Sequence, residues 1–185
     1  MIYPFEKEVL VKQEDIESRI KVLGEWITND YSGSEGILLL ALLRGSFMFL
    51  SDLAKSIKLP VTVDFMSVSS YAGYETGGIV RIHAEHKTNI EGWDVILIDD
   101  IVDTGFTLES IIELLSTRKP KSLRTCVLLD KKSRREANVV MDYVGFTIPD
   151  EFVIGYGLDV DEHGRNLPYI ASVDKEKYAE FLKKS

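Results

Sequence analysis

The hydrophobic positions of the chain follow two alternating patterns. Residues 37–43 and 95–98 are apolar at every position, which is typical of strands buried on both faces of a parallel sheet. Residues 61–68 and 123–129 are predicted as two further strands. Between these strands, apolar residues recur every three or four positions and predict amphipathic helices over 13–29, from 47 to before Pro60, and over 108–115. This alternation predicts an α/β fold, a parallel twisted sheet flanked by helices.

Other parts of the chain depart from the alternation. Residues 69–78 are polar and glycine-rich, so we predict a long mobile loop or hairpin that returns as a strand at 79–82. The two ends of the chain are predicted to form a small hood over the carboxyl edge of the sheet, where open α/β sheets bind ligands. We therefore expect one domain over residues 1–185, with a core at about 31–150 and a hood from about 1–30 and 151–185.

Composition narrows the class of protein. The 185 residues carry a net charge of −8, which argues against a general nucleic-acid binder and leaves small anions open as ligands. The only cysteine, Cys126, lies in an apolar run, so we expect a buried structural thiol and a reducing compartment. The N-terminus does not resemble a signal peptide, and no apolar run approaches the roughly 20 residues that span a bilayer. We expect a cytoplasmic protein with no membrane partner.

The candidate chemistry concentrates in residues 95–107, Val-Ile-Leu-Ile-Asp-Asp-Ile-Val-Asp-Thr-Gly-Phe-Thr. A buried strand leads to Asp99 and Asp100, and Asp103 precedes a Thr-Gly-x-Thr turn and a helix. The amides and hydroxyls of this turn can converge on one anion, and its glycine lets the backbone approach a phosphate closely. The carboxylates suit sugar hydroxyls or a metal. Spacing alone leaves open the alternative that these acids are a helix cap and solvated loop residues.

This stretch resembles the phosphoribosyl-pyrophosphate signature of the type I phosphoribosyltransferases. Four further segments resemble, in order, motifs of the hypoxanthine-guanine (6-oxopurine) branch of that family. Residues 43–47 are similar to its pyrophosphate loop, 69–71 to its mobile loop and 128–131 to its purine-reading strand end. Residues 152–159, followed by Arg165, are similar to its base-stacking segment and distal arginine. The resemblance runs from about residue 9 to 167 and implies the type I phosphoribosyltransferase fold.

The resemblance also implies an activity. In this family the 5-phosphoribosyl group moves from phosphoribosyl pyrophosphate to hypoxanthine or guanine, which gives IMP or GMP and pyrophosphate in purine salvage. It implies that Asp103 is the general base that takes a proton from the purine imidazole ring. It further implies Mg²⁺ as cofactor, with Asp99, Asp100 and Asp159 as its ligands, and a homodimer or homotetramer.

The other site roles are carried over position by position. Asp99 and Asp100 would hold the ribose hydroxyls, and the 5′-phosphate would lie on Asp103, Thr104, Gly105, Phe106 and Thr107. Pyrophosphate would contact Arg44, Gly45 and Arg165; the purine would contact Lys131, Phe152 and Val153; the flexible loop would begin with Ser69, Ser70 and Tyr71. Two positions depart from the commoner pattern, since Asp99 stands where glutamate is more usual and Arg44 where many members have lysine.

Three alternatives stay open. An ammonium such as that of Lys131 can only donate, so it favours a 6-oxo over a 6-amino purine, but it does not rank hypoxanthine, guanine and xanthine. A xanthine or a pyrimidine phosphoribosyltransferase is therefore a second possibility. A third is a regulator that kept the phosphoribosyl-pyrophosphate fold and binds RNA or DNA without catalysis. That hypothesis predicts a basic face and loss of Asp103, whereas the chain is acidic and keeps Asp103.

His83 and His86 are predicted to be loop residues rather than metal ligands.

Overall fold

The structure is a computed structural model that describes residues 1–71 and 79–183. Within these residues the chain forms a six-stranded sheet, a three-stranded sheet and four α-helices. The strands are β1 (Glu6–Val11), β2 (Ile37–Leu43), β3 (Val61–Tyr71), β4 (Ile79–Ala84), β5 (Asp94–Val102), β6 (Ser122–Asp130), β7 (Tyr143–Thr147), β8 (Val153–Ile154) and β9 (Ile170–Val173). The helices are α1 (Gln13–Asp30), α2 (Phe47–Ser56), α3 (Phe106–Ser116) and α4 (Lys175–Leu182).

The large sheet has the strand order β4-β3-β2-β5-β6-β7. Its pairs are parallel except for β3 and β4, which are antiparallel. The predicted α/β architecture and the predicted returning strand at 79–82 are therefore confirmed. The helices cover both faces of this sheet, and no described helix is long and apolar enough to cross a membrane.

The central strand β2 explains why both faces need a cover. Its side chains alternate between the faces, as the two-residue period of a strand requires. Leu39 and Ala41 enter a core cluster with residues of α1 and α2, whereas Leu38 and Leu40 enter a second cluster with residues of α3. An uninterrupted apolar run is the sequence counterpart of this two-sided burial.

The segment predicted as a mobile loop begins later than expected. Ser69, Ser70 and Tyr71 continue β3 and pair with β4, although the predicted strand ended at residue 68. Backbone hydrogen bonds to an antiparallel partner do not require apolar side chains, so the polar composition concealed this extension. Residues 72–78 of the predicted loop lie outside the described residues.

The three-stranded sheet has the order β1-β9-β8 and is antiparallel. It packs around the buried side chains of Phe5, Ile154 and Leu167, and the rings of Tyr178 and Phe181 on α4 contact Phe5. The N-terminal segment expected in the hood divides between two places. Strand β1 joins the small sheet, whereas the apolar stripe of α1 packs with α2 into the core under the large sheet.

Candidate active site

A cavity of about 460 Å³ lies where the carboxyl ends of β2, β5 and β6 meet the segment around β8. Ten of the predicted site residues line it: Arg44, Gly45, Ser69, Asp100, Asp103, Lys131, Phe152, Val153, Asp159 and Arg165. The predicted residues Asp99, Thr104, Gly105, Phe106 and Thr107 are not part of its lining. Asp99 lies in β5 beside Asp100, Thr104 and Gly105 form the turn after Asp103, and Phe106 and Thr107 are the first residues of α3.

The two adjacent acids at the end of β5 have raised pKa values, although the charge of Arg165 acts to lower the pKa of Asp100. Burial raises the pKa of Asp99 well above its usual range, and the charge of the neighbouring Asp100 raises it further. Burial also raises the pKa of Asp100. The Asp100 carboxylate occupies the space that a Cβ at position 45 would need, so any other residue in place of Gly45 would force this carboxylate to move.

The turn after Asp103 has the geometry of an anion site. Gly105 adopts φ 93°, in the left-handed region that favours glycine, and directly precedes the first turn of α3. The Thr104 carbonyl accepts hydrogen bonds of 3.0 Å from the amides of Glu136 and Ala137. This contact fastens the turn to the segment that follows Lys131, while the N-terminal amides of α3 remain available to an anion.

Asp103 lies among two cations and a second acid. Lys131 Nζ is 3.5 Å from Asp103 Oδ2 and 3.9 Å from Asp150 Oδ1. Arg134 Nε is 3.4 Å from Asp103 Oδ1, and its Nη1 is 3.4 Å from Asp150 Oδ2. Within the described chain, the buried Oδ1 of Asp103 accepts no hydrogen bond of good geometry. Lys131 is buried with its side chain only 8% exposed, whereas Phe152 is 46% exposed and presents an aromatic ring at the cavity.

The opposite part of the lining carries two arginines. Arg44 follows β2 across a cis Leu43–Arg44 peptide bond. Arg165 Nη2 lies 2.8 Å from Asp159 Oδ1, and its Nη1 donates to the Gly157 carbonyl at 2.8 Å. A Cβ at Gly157 would overlap the Gly45 carbonyl, so the two loops that carry these arginines are in direct backbone contact.

A family profile described as a phosphoribosyl transferase domain matches residues 8–161. The chain belongs to this phosphoribosyltransferase family. A hypoxanthine-guanine phosphoribosyltransferase from Dictyostelium discoideum is 48% identical over 177 residues, which cover 93% of this chain and 98% of the relative. One from Staphylococcus aureus (strain Mu50) is 49% identical over 174 residues, with coverages of 94% and 97%. Among solved structures, one of a Trypanosoma cruzi hypoxanthine phosphoribosyl transferase is 39% identical, with a TM-score of 0.93. The match covers 99% of this chain and 99% of the Trypanosoma cruzi chain.

These matches confirm the type I phosphoribosyltransferase fold and the family resemblance seen in the sequence. In this phosphoribosyltransferase the structure adds polar residues that sequence reasoning missed or set aside. His83 lines the cavity from β4, with its Nε2 2.8 Å from Ser69 Oγ, although it was predicted to be a loop residue. Arg134 and Asp150 complete the charge cluster around Asp103. Only the alternation of polar and apolar residues along β4 hinted at His83, and Arg134 was hidden in a basic run.

Proposed function

We propose that this phosphoribosyltransferase transfers the 5-phosphoribosyl group from phosphoribosyl pyrophosphate to hypoxanthine or guanine, giving IMP or GMP and pyrophosphate. The observation that carries the proposal is a single cavity lined by Asp103, Lys131 and Phe152 together with Arg44 and Arg165. The first three suit a flat base with a carbonyl and an exchangeable proton, and the arginines suit a polyanionic leaving group. The relatives named hypoxanthine-guanine phosphoribosyltransferases support the same pair of substrates.

Asp103 is the proposed general base. As the bond between ribose C1′ and the pyrophosphate oxygen breaks, a ring nitrogen of the purine bonds to C1′ and the imidazole proton moves to the Asp103 carboxylate. The Asp103 side chain lines the cavity and is 45% exposed, so its carboxylate can reach a base bound there. Lys131 and Arg134, each within 3.5 Å of the carboxylate, hold it in place.

The donors at the end of β5 fit a divalent cation such as Mg²⁺. Asp99 and Asp100 supply hard carboxylate oxygens, and burial raises the pKa of both, so a bound cation would stabilise their charged forms. No group of three potential ligands occurs within the described residues, which suits an ion that takes its other ligands from substrate and water. Bound there, Mg²⁺ would supply charge neutralisation for the departing pyrophosphate. Asp159, which also lines the cavity, is proposed as a further ligand on the pyrophosphate side.

Lys131 is the proposed reader of the purine 6-oxo group. Its buried ammonium can donate but not accept, so a 6-amino group facing it would lose a hydrogen bond and leave two donors opposed. Phe152 would stack on the base, and the backbone of Val153 would contact the purine edge. This arrangement favours hypoxanthine and guanine over adenine.

A spectrophotometric assay with phosphoribosyl pyrophosphate and Mg²⁺ tests the proposal. Hypoxanthine, guanine, xanthine and adenine are supplied one at a time to the wild type and to Lys131→Gln and Lys132→Gln. We expect turnover of hypoxanthine and guanine, little of adenine, and a loss of roughly 10–100-fold in kcat/KM with Lys131→Gln. Lys132→Gln removes the same charge from an exposed neighbour and is expected to match the wild type.

Preference for xanthine would favour the second candidate enzyme, and turnover of adenine equal to that of hypoxanthine would contradict the role of Lys131. The regulator hypothesis is less well supported, because the chain keeps Asp103 in the cavity and carries a net charge of −8. Binding of phosphoribosyl pyrophosphate without turnover of any base would support the regulator hypothesis.

We also propose a homodimer or homotetramer in the cytoplasm. Phe47, Val63 and Phe65 are large apolar side chains that remain 40–44% exposed in the single chain. Light scattering coupled to gel filtration would test the assembly against the 20.9 kDa mass of one chain.

Cys126 is a free, buried thiol, as predicted, and its burial raises the pKa of the thiol.

A further inference from the structure

Glu162 lies between the two arginines of the proposed pyrophosphate subsite. Its Oε1 is 3.0 Å from Arg44 Nη2, and its Oε2 is 3.1 Å from Arg165 Nη2. The same Oε2 also accepts longer hydrogen bonds of 3.3 Å from Arg44 Nη1 and Arg165 Nε. Both oxygens of one carboxylate are thus occupied by guanidinium groups that come from two neighbouring loops at the cavity.

The turn that carries Glu162 has an uncommon backbone. Asp161 and Glu162 are consecutive non-glycine residues with positive φ, 47° and 66°. The Glu162 amide donates to Asp159 Oδ2 at 2.8 Å, and Val160 and His163 exchange backbone hydrogen bonds across the turn. The chain therefore holds a tight turn that returns the Glu162 side chain to the two arginines.

Arg165 does not need Glu162 to keep its place. Its guanidinium is also bound by Asp159 at 2.8 Å and by the Gly157 carbonyl at 2.8 Å, and its side chain is only 20% exposed. Glu162 and Arg44 are far more exposed, at 57% and 70% of their side chains. The Glu162 carboxylate can therefore swing into water without disturbing Arg165.

We propose that Glu162 is an intramolecular competitor for pyrophosphate and sets how tightly this end of the site binds. The inference rests on the proposed function, in which Arg44 and Arg165 take the pyrophosphate group. Carboxylate and phosphate oxygens engage guanidinium donors in the same forked geometry, so both cannot use these donors at once. A bound pyrophosphate must displace the Glu162 carboxylate, and the carboxylate can return when pyrophosphate leaves. Glu162 thereby weakens retention of the product.

Calorimetric titration of pyrophosphate, with Mg²⁺ present, tests this competition in the wild type, Glu162→Gln and Asp161→Asn. The Asp161 variant removes the same charge one residue away. Its carboxylate accepts a hydrogen bond from the Tyr178 hydroxyl and forms no ion pair with Arg44 or Arg165 in the described chain. Asparagine also tolerates positive φ. We expect Glu162→Gln to bind pyrophosphate about three- to tenfold more tightly, and Asp161→Asn to change the affinity less than about twofold.

The expected increase in pyrophosphate affinity of Glu162→Gln should become smaller as ionic strength rises. Salt screens the charges of Glu162 and Arg44 because both side chains are partly exposed. Unchanged binding by Glu162→Gln, or an equal gain in both variants, would overturn the competition. Weaker binding would overturn it too and would show that Glu162 positions the arginines. The variant Arg165→Gln distinguishes failure of the proposed pyrophosphate subsite from failure of the competition by Glu162. If the wild type binds pyrophosphate no better than Arg165→Gln does, the subsite itself is wrong and the competition fails with it.

Discussion

Strand β5 carries acids at both ends, and the groups that surround these acids differ between the two ends. At its start, Asp94 accepts hydrogen bonds from Ser34 Oγ at 2.6 Å, Lys121 Nζ at 2.6 Å and Ser122 Oγ at 2.8 Å. Burial alone would raise the pKa of Asp94, but these donors outweigh it and lower the pKa. At the end of the strand, burial raises the pKa of both Asp99 and Asp100, and for Asp100 it outweighs the charge of Arg165, which acts in the opposite direction.

The comparison separates an acid whose partners belong to the chain from two acids that we propose bind a ligand. A carboxylate whose partners all belong to the chain contributes to folding, because its charged form is favoured in the native state. A buried pair that lacks such partners costs stability until positive charge or hydroxyl donors arrive. Position along one strand therefore decides the role, since the carboxyl edge of the sheet is where the cavity lies.

The largest expected effect concerns Asp103, three residues beyond the acidic pair. Asp103→Asn keeps the shape of the side chain but cannot take the purine proton. We expect kcat to fall about 10²–10⁴-fold while substrate affinity changes little. Steady-state kinetics should be compared with those of Asp94→Asn, whose folded fraction is expected to keep wild-type turnover. Near-normal turnover by Asp103→Asn would rule out its role as the base.

Removal of divalent cations is the next test of the functional end. With excess chelator, we expect the rate to fall by roughly a hundredfold or more, because the pyrophosphate would leave without charge neutralisation. Restoring Mg²⁺ should restore the rate, which excludes damage by the chelator. Full activity in chelator would show that the acidic pair acts without a metal.

Stability measurements should move in opposite directions at the two ends of β5. Asp94→Asn is expected to lower the free energy of unfolding by about 2 kcal/mol, since it weakens an ion pair and two hydroxyl contacts to a buried group. Asp99→Asn is expected to raise it by up to about 1 kcal/mol without Mg²⁺, because it removes like-charge repulsion. Denaturant unfolding at neutral pH measures both. A loss of stability with Asp99→Asn would contradict the contrast.

Asp64 extends the comparison to a third acid and gives it a pH dependence. Burial would raise its pKa, but hydrogen bonds from Thr88, Phe65 and Lys87 lower the pKa to about 2. A depressed native pKa stabilises the fold above the unfolded value of about 4, and this stabilisation is lost as pH falls towards 2. We expect Asp64→Asn to cost roughly 1–2 kcal/mol at pH 7.

The difference in stability between Asp64→Asn and the wild type should shrink between pH 4 and pH 2. Denaturant unfolding across that interval measures it. If the difference stays constant with pH, the hydrogen bonds of the Asp64 side chain, and not its charge, stabilise the contact with Lys87 and Thr88.

The local sequence pattern was sufficient to predict the central strands, the helices between them and the position of the acids at the end of β5. Runs such as 37–43 are buried on both faces, and a strand that ends in Asp-Asp followed by Asp-Thr-Gly-x-Thr places its acids and its turn within one short segment. The resemblance to a family then added roles for distant residues, and ten of those predicted positions do line one cavity.

The three-stranded sheet, the length of β3 and the charge partners were decided by tertiary structure. Strand β1 reads Glu-Lys-Glu-Val-Leu-Val and becomes a strand because β9 pairs with it, and the polar end of β3 is a strand because β4 pairs with it. Arg44 and Glu162 are 118 residues apart and meet only when the turn after β8 packs on the loop after β2. Periodicity reports which residues are buried along one element, whereas the partner of a charge depends on which elements the fold brings together.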